Sequence, residues 1–150
     1  MELTQEIKNS IETSVLCWLA TTSRDGIPNV SPKEIFDYYG KDNLIIANIA
    51  SPGSIKNIKE NANVCISFID ILKQKGFQLK GKARIIDNTA TEFDLINKSL
   101  KKMTKGLFPF KTITVIKIDS AKPIIAPRYT LYPDTKELDQ IERAKKAYGL

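Results

Sequence analysis

The chain has 150 residues, a formal net charge of +6, and 42% hydrophobic against 27% charged residues. That length suits one domain spanning residues 1–150, and at this size about 70% of the unfolded chain's surface is buried on folding, so the core needs no disulfide or metal. Histidine is absent, which excludes Ser-His and Cys-His nucleophilic catalysis, most zinc and copper sites and His-ligated haem.

Any chemistry is therefore expected from a bound cofactor, or else there is none. No apolar run approaches the ~20 residues of a membrane span. The stretch MELTQEIKNSIETS lacks the basic-then-apolar pattern of a signal peptide, so a cytoplasmic location is expected. The basic balance suits an anionic partner, either nucleic acid or a phosphorylated small molecule, and equally suits mere solubility. Cys17 and Cys65 each lie in an apolar segment, and both are expected to be buried free thiols.

In chain order, Thr4 caps a first helix with Ile7, Ile11 and Val15 on one face. VLCWLATTS reads as a buried strand ending at the turn signal RDG, and PNVSPKEIFDYYG as its hairpin partner. NLIIANIA is a third strand. Residues 51–61 form a short helix with Ser51 as N-cap and Pro52 at the first helical position, where a missing N–H costs nothing. NVCISFID is a fourth strand.

KGFQLKGKARIID alternates most clearly. Phe77, Leu79, Gly81, Ala83 and Ile85 point one way, and Gln78, Lys80, Lys82 and Arg84 make a basic row on the other. Thr89 and Glu92 fit a capping box for a helix with Phe93, Ile96 and Leu100 inward. KTITVIKID is the sixth strand, and AKPIIAPRYTLYP reads as extended and Pro-broken. Asp134 and Glu137 open a last helix with Leu138, Ile141 and Ala144 apolar and Gly149 near its end. The sum is a mainly β domain, a six-stranded antiparallel barrel with short flanking helices.

Three stretches bear on chemistry. The turn ASPGS opens a helix, where unpaired N–H groups and the macrodipole favour an anion; Ser51 and Ser54 add hydroxyls, Gly53 opens the backbone, and Asn57 lies one turn on. Ordinary capping explains the same residues. In NVSPKEIF, Ser31 and Lys33 share a strand face, which places a countercharge beside that turn. Glu34 falls on the otherwise apolar face and needs a partner there. The row Gln78, Lys80, Lys82 and Arg84 is either a wet sheet face or a surface toward an anion.

The succession LATTSRDGIPNVSPKEIF, LIIANIASPGSIKNIKENANVCISF and FQLKGKARII resembles the FMN-binding split-barrel family named for pyridoxamine 5'-phosphate oxidase, over roughly residues 5–120. The later KPIIAPRYTLYP is similar to tails of a bacterial subgroup rather than to the oxidase proper. The resemblance implies a split barrel that forms a homodimer with FMN at the subunit interface. Ser31, Pro32, Lys33 and Glu34 would touch the flavin from the second strand, and Ala47, Asn48 and Ile49 would run along its ring. Ser51, Gly53, Ser54 and Asn57 would hold the phosphate, and Gln78, Lys80 or Lys82 would reach the partner's flavin.

Two departures matter. The oxidases carry an arginine on the second strand and an Arg-Lys pair at the phosphate turn; here Ser31 and Gly53–Ser54 stand instead, so phosphate charge is left to Lys33, Lys56 or the partner's basic row. Their C-terminal substrate arginine has Arg128, beside Tyr129, as its one candidate counterpart, at the rim of a substrate site. These departures argue against pyridoxamine 5'-phosphate oxidation itself. The expected function is a flavin-dependent oxidoreductase working by hydride or electron transfer, with FMN or a deazaflavin as cofactor. The alternatives are a flavin-binding or storage protein without turnover, and a nucleic-acid-binding barrel. The last is disfavoured because the basic strand lacks interleaved aromatics for base stacking.

Overall fold

A computed structural model describes all of residues 1–150. After α1 (Gln5–Thr13) come β1 (Cys17–Thr22), β2 (Pro28–Lys33), β3 (Phe36–Tyr39), β4 (Asn43–Ala47) and α2 (Pro52–Glu60). Then follow β5 (Asn63–Asp70), β6 (Lys75–Ile86), α3 (Phe93–Thr104), β7 (Ile113–Ile125), α4 (Pro127–Leu131) and α5 (Glu137–Tyr148). One seven-stranded sheet has the order β2-β1-β5-β6-β7-β4-β3, with every pair antiparallel.

The two edge strands, β2 and β3, are consecutive in the chain, separated by Glu34 and Ile35 alone. So short a link forces the sheet to curl until its edges approach one another. The result is a split barrel, with a seam at residues 33–36. At the seam the Ala47 N–H donates to the Ile35 carbonyl at 3.0 Å. The expected single second strand is thus two strands, and the total is seven rather than six. Along β2 the inward residues are Asn29, Ser31 and Lys33; strict alternation would next bury Ile35, but Phe36 is the buried one. The bend shifts the phase by one residue.

The barrel interior holds Leu19, Phe36, Leu44, Ile46, Ile66, Phe68, Phe77, Leu79, Ile116 and Ile118, closed at one side by Leu3, Ile7 and Ile11. A second core forms where α3 lays Phe93, Ile96 and Leu100 on Ile45, Ala47, Ile113 and Val115. This explains why LIIA is apolar on both faces: β4 is covered twice. The outward face of β1 and β2 is covered by no element and presents Trp18, 49% exposed, with Pro28, Val30 and Pro32.

Several local expectations change. Thr4 caps α1 by accepting the Ile7 N–H, but Val15 lies beyond the helix and is 83% exposed. Glu92 caps no N–H of α3; it pairs with Arg84 at 2.7 Å, and Thr89 donates its hydroxyl to Asp87 instead. β7 runs on through Pro123 to Ile125 because β4 pairs it only as far as Lys117, so Pro123 lacks a partner on that side and its missing N–H does no harm. Residues 127–131 are a short helix rather than extended chain.

α5 starts after Lys136 with no side-chain cap. Glu137 binds Lys73 and Lys75 at 3.2 and 3.1 Å, which turns Gln140 and Ala144 inward and leaves Leu138 74% exposed. Cys17 is buried as expected, but Cys65 is half-buried on the outward sheet face. No helix is long and apolar enough to cross a membrane.

A candidate anion and ring site at the barrel seam

The turn between β4 and α2 is strained. Ala50 has φ +48°, a left-handed conformation that costs a residue with a Cβ about 1 kcal/mol or more unless its surroundings enforce it. Ser51 sits at the N-cap position of α2 but does not cap it. Its hydroxyl donates to the Ile49 carbonyl at 2.9 Å and accepts from the Lys33 ammonium. The first turn of α2 is therefore left without a side-chain acceptor, and its N–H groups and macrodipole point to whatever lies before it. Gly53 is part of that turn, and a Cβ added there would meet nothing within 4 Å.

Lys33 is the unusual residue. Only 6% of it is exposed. Its ammonium donates to Ser31 at 3.0 Å and to Ser51, and no carboxylate pairs with it in the chain. The neighbouring Cys17 does not serve as counter-ion, because burial pushes that thiol's pKa up to about 12 and keeps it neutral. Desolvation pulls the Lys33 pKa below its ordinary value. A buried cation with hydroxyl partners and no anion is poised to take one.

Beside Lys33 the seam opens into a cavity of about 210 Å³, lined by Pro32, Lys33, Glu34, Ile35, Ala47, Ile49 and Phe108. Five of the residues expected at a cofactor, Pro32, Lys33, Glu34, Ala47 and Ile49, thus meet around one space. Glu34, expected on an apolar face and in need of a partner, is instead exposed at the bend, where water solvates it. Ile35 and Phe108 were not anticipated. Ile35 enters through the phase shift, and Phe108 from the loop between α3 and β7.

The other expected residues divide. Ser54 and Asn57 are buried on the β1 side of α2. The Asn57 amide donates to the Thr21 hydroxyl at 3.0 Å, and the Ser54 hydroxyl receives the Asn29 amide at 3.4 Å. Ser54 keeps its own O–H to donate. The Asn48 side chain is spent on β7, donating to Thr112 at 3.1 Å and accepting from Thr114 at 2.8 Å. Gln78, Lys80 and Lys82 lie on the outward face opposite Lys122, Ser120 and Lys117 of β7, and Arg84 leaves that row for Glu92.

Arg128 and Tyr129 lie away from the seam cavity within the chain. The Tyr129 hydroxyl donates to the Lys73 carbonyl at 2.9 Å with the Lys75 ammonium 4.4 Å from its ring centre. Arg128 stacks over Tyr132 and lines a separate cavity of about 400 Å³ with Asp134 and Asp139. A larger cavity of about 540 Å³ is walled by Val15, Trp18, Phe68, Ile69, Ile71 and Leu150 and offers no cation. Size does not distinguish the seam cavity; the buried cation beside it does.

With this geometry in view, residues 3–123 match the family model described as pyridoxamine 5'-phosphate oxidase. The chain belongs to that family. An uncharacterized protein of Methanocaldococcus jannaschii is 29% identical over 120 residues, covering 79% of this chain and 78% of the relative. HupZ of Group A Streptococcus superposes with a TM-score of 0.70 at 23% identity, covering 83% of this chain and 95% of that one. An FMN-binding protein from Syntrophomonas wolfei superposes at 0.68 and 22%, covering 79% and 84%. At these identities the solved structures establish the split-barrel fold and not the cofactor. The seam cavity, the uncapped α2 and Lys33 are what this member of the pyridoxamine 5'-phosphate oxidase family offers a ligand.

Proposed function

We propose that this chain is an FMN-dependent oxidoreductase, a cytoplasmic homodimer that seats the flavin phosphate between Lys33 and the start of α2. The observation that carries the reading is the buried Lys33 ammonium, without a counter-anion, bonded to the N-cap residue of a helix that no side chain caps. The residues fit the group. Cation, free first turn and open Gly53 suit a phosphate, and the apolar walls Pro32, Ile35, Ala47, Ile49 and Phe108 suit a planar ring. FMN would supply hydride or electron transfer, chemistry this chain's side chains lack. The chain's own task is to bind, orient and exclude water: Lys33 fixes the charged end, and the seam residues wall the rest.

The cavity volume supports the dimer. About 210 Å³ falls below the roughly 300–1,000 Å³ of small-molecule sites, so one chain encloses only part of a flavin. Pro32 belongs both to the cavity and to the uncovered outward face with Trp18, Val30 and Pro28, so a second copy on that face would complete the site. Light scattering at micromolar concentration is expected to give twice 16.9 kDa. Monomer with FMN still bound would count decisively against a shared site.

The function is tested by titrating protein with FMN and with riboflavin, which lacks the phosphate. FMN is expected to bind at least tenfold tighter, as a charged hydrogen-bonded group commands. Bleaching of the bound flavin by a reduced nicotinamide supports turnover, whereas binding without reduction favours the storage alternative. Equal affinity for the two flavins would remove the phosphate site, and no binding of either would remove the flavin reading.

A further inference from the structure

The seam cavity has a single aromatic wall, and it comes from far away in sequence. α3 ends at Thr104, and Lys105 and Gly106 follow with φ +48° and +75°, two left-handed residues that reverse the chain. The reversal is pinned. The Leu107 N–H donates to the Thr104 carbonyl at 2.9 Å, the Gly106 N–H to the Thr104 hydroxyl at 3.3 Å, and Phe110 packs on the α3 core. Between these anchors Phe108 is held over the cavity with 53% of its surface exposed.

An aromatic ring left half in water on an anchored loop packs into neither core cluster. It lines the cavity together with Pro32, Ile35 and Ile49. We propose that Phe108 is the ring-recognition residue of the site, the wall on which the ligand's planar ring system packs. This deepens the FMN reading and rests on it. Charge and ring are then read by separate groups: Lys33 and α2 hold the anion, and Phe108 selects for a flat aromatic body.

The division of labour makes the test specific. Phe108→Ala is expected to weaken FMN and riboflavin by the same factor, about 10-fold, since both carry the ring. The FMN-to-riboflavin ratio should stay as in the wild type. Phe108→Trp should retain affinity and quench the fluorescence of bound riboflavin below the wild-type level, because an indole in contact with a flavin ring donates an electron to its excited state. Melting temperatures of both variants should match the wild type, as the side chain belongs to no core cluster. Wild-type affinity for both flavins in Phe108→Ala, with no added quenching in Phe108→Trp, would overturn the assignment and leave the FMN reading standing. Failure of the wild type to bind either flavin would overturn both.

Discussion

Lys33→Met is expected to lower FMN affinity by about 10- to 150-fold while leaving the ligand-free protein as stable as the wild type, or more so. The first figure follows from the worth of a hydrogen bond to a charged group, about 1.5–3 kcal/mol, lost when the ammonium is removed from the phosphate. The second follows from the state of Lys33 without ligand. It is a buried cation held by two hydroxyls, with a thiol rather than a thiolate beside it. Replacing such a charge by an apolar side chain of similar length relieves desolvation. Ser31 and Ser51 lose a partner, but Ser51 keeps its bond to the Ile49 carbonyl. Affinity and stability should therefore move independently, as at sites where function is held against stability.

The same residue sets a pH dependence. Desolvation lowers the Lys33 pKa in the folded protein from 10.5. Between that lowered value and 10.5 the unfolded chain binds more protons at this position than the folded one, so the Lys33 contribution to stability rises with pH. Cys17, neutral in the fold to about 12 but ionising from 9.0 when unfolded, contributes with the opposite sign. A bound phosphate favours the charged amine, so binding takes up a proton there and FMN affinity should fall as pH rises. Lys33→Met should remove the Lys33 contribution and the slope in FMN affinity, so the stability of the variant should fall more steeply with rising alkaline pH than that of the wild type. Riboflavin binding should be insensitive to the substitution. Calorimetric melts and FMN titrations across alkaline pH measure this. A variant that melts lower yet binds FMN as the wild type does would make Lys33 a structural residue.

Much of this site is legible in the residues, because its parts are local. The strand–turn–helix unit around ASPGS and the strand carrying Ser31 and Lys33 are short-range patterns, and their residue types suit an anion. What the pattern leaves out is how the groups are spent. Ser51 occupies the N-cap position, yet its hydroxyl goes to Lys33 and Ile49, since Ala50 in a left-handed conformation re-aims it. Asn48 serves the fold through Thr112 and Thr114. Phe108 was beyond reach of any local pattern, because its place depends on how α3 packs on β4 and where the chain reverses after it.

The fold was legible by the same measure. Alternation in β6, the apolar run of β4 and the turns at Gly26 and Gly40 are strong local signals. The seam leaves no turn signal, because PNVSPKEIFDYYG carries no glycine between its two halves. Its one sign is the phase slip that buries both Lys33 and Phe36. The rotation of α5 is not legible locally, because ion pairs from Glu137 to Lys73 in the β5–β6 turn and Lys75 at the start of β6 outweigh a weak apolar stripe.

Gly81→Ala is expected to destabilise the protein by about 3 kcal/mol or more, although alanine is among the mildest of substitutions. In sequence Gly81 is one more inward position of an alternating strand, and alanine would fit the pattern. In the structure it lies where β6 and β7 change register: Lys80 faces Ser120, Gly81 faces Ile118, and Asp119 is the extra residue. The bulge brings the β7 backbone onto Gly81. A Cβ there would stand 2.1 Å from the Lys117 carbonyl oxygen and 3.2 Å from an Ile116 methyl. The obstacle is main chain inside a paired ladder, so no rotamer change relieves it, and overpacking of this kind costs at the top of its ~1–3 kcal/mol range or beyond. For a chain of this length that corresponds to a fall of roughly 10 °C in melting temperature. Gly53→Ala supplies the contrast, because its Cβ enters open space and its φ is not left-handed; its melting temperature should stay within a few degrees of the wild type. Thermal melts of both ligand-free variants decide the matter. Equal stability of Gly81→Ala and wild type would mean that the β6–β7 bulge yields easily, and that the close approach across it does not fix the curl of the barrel.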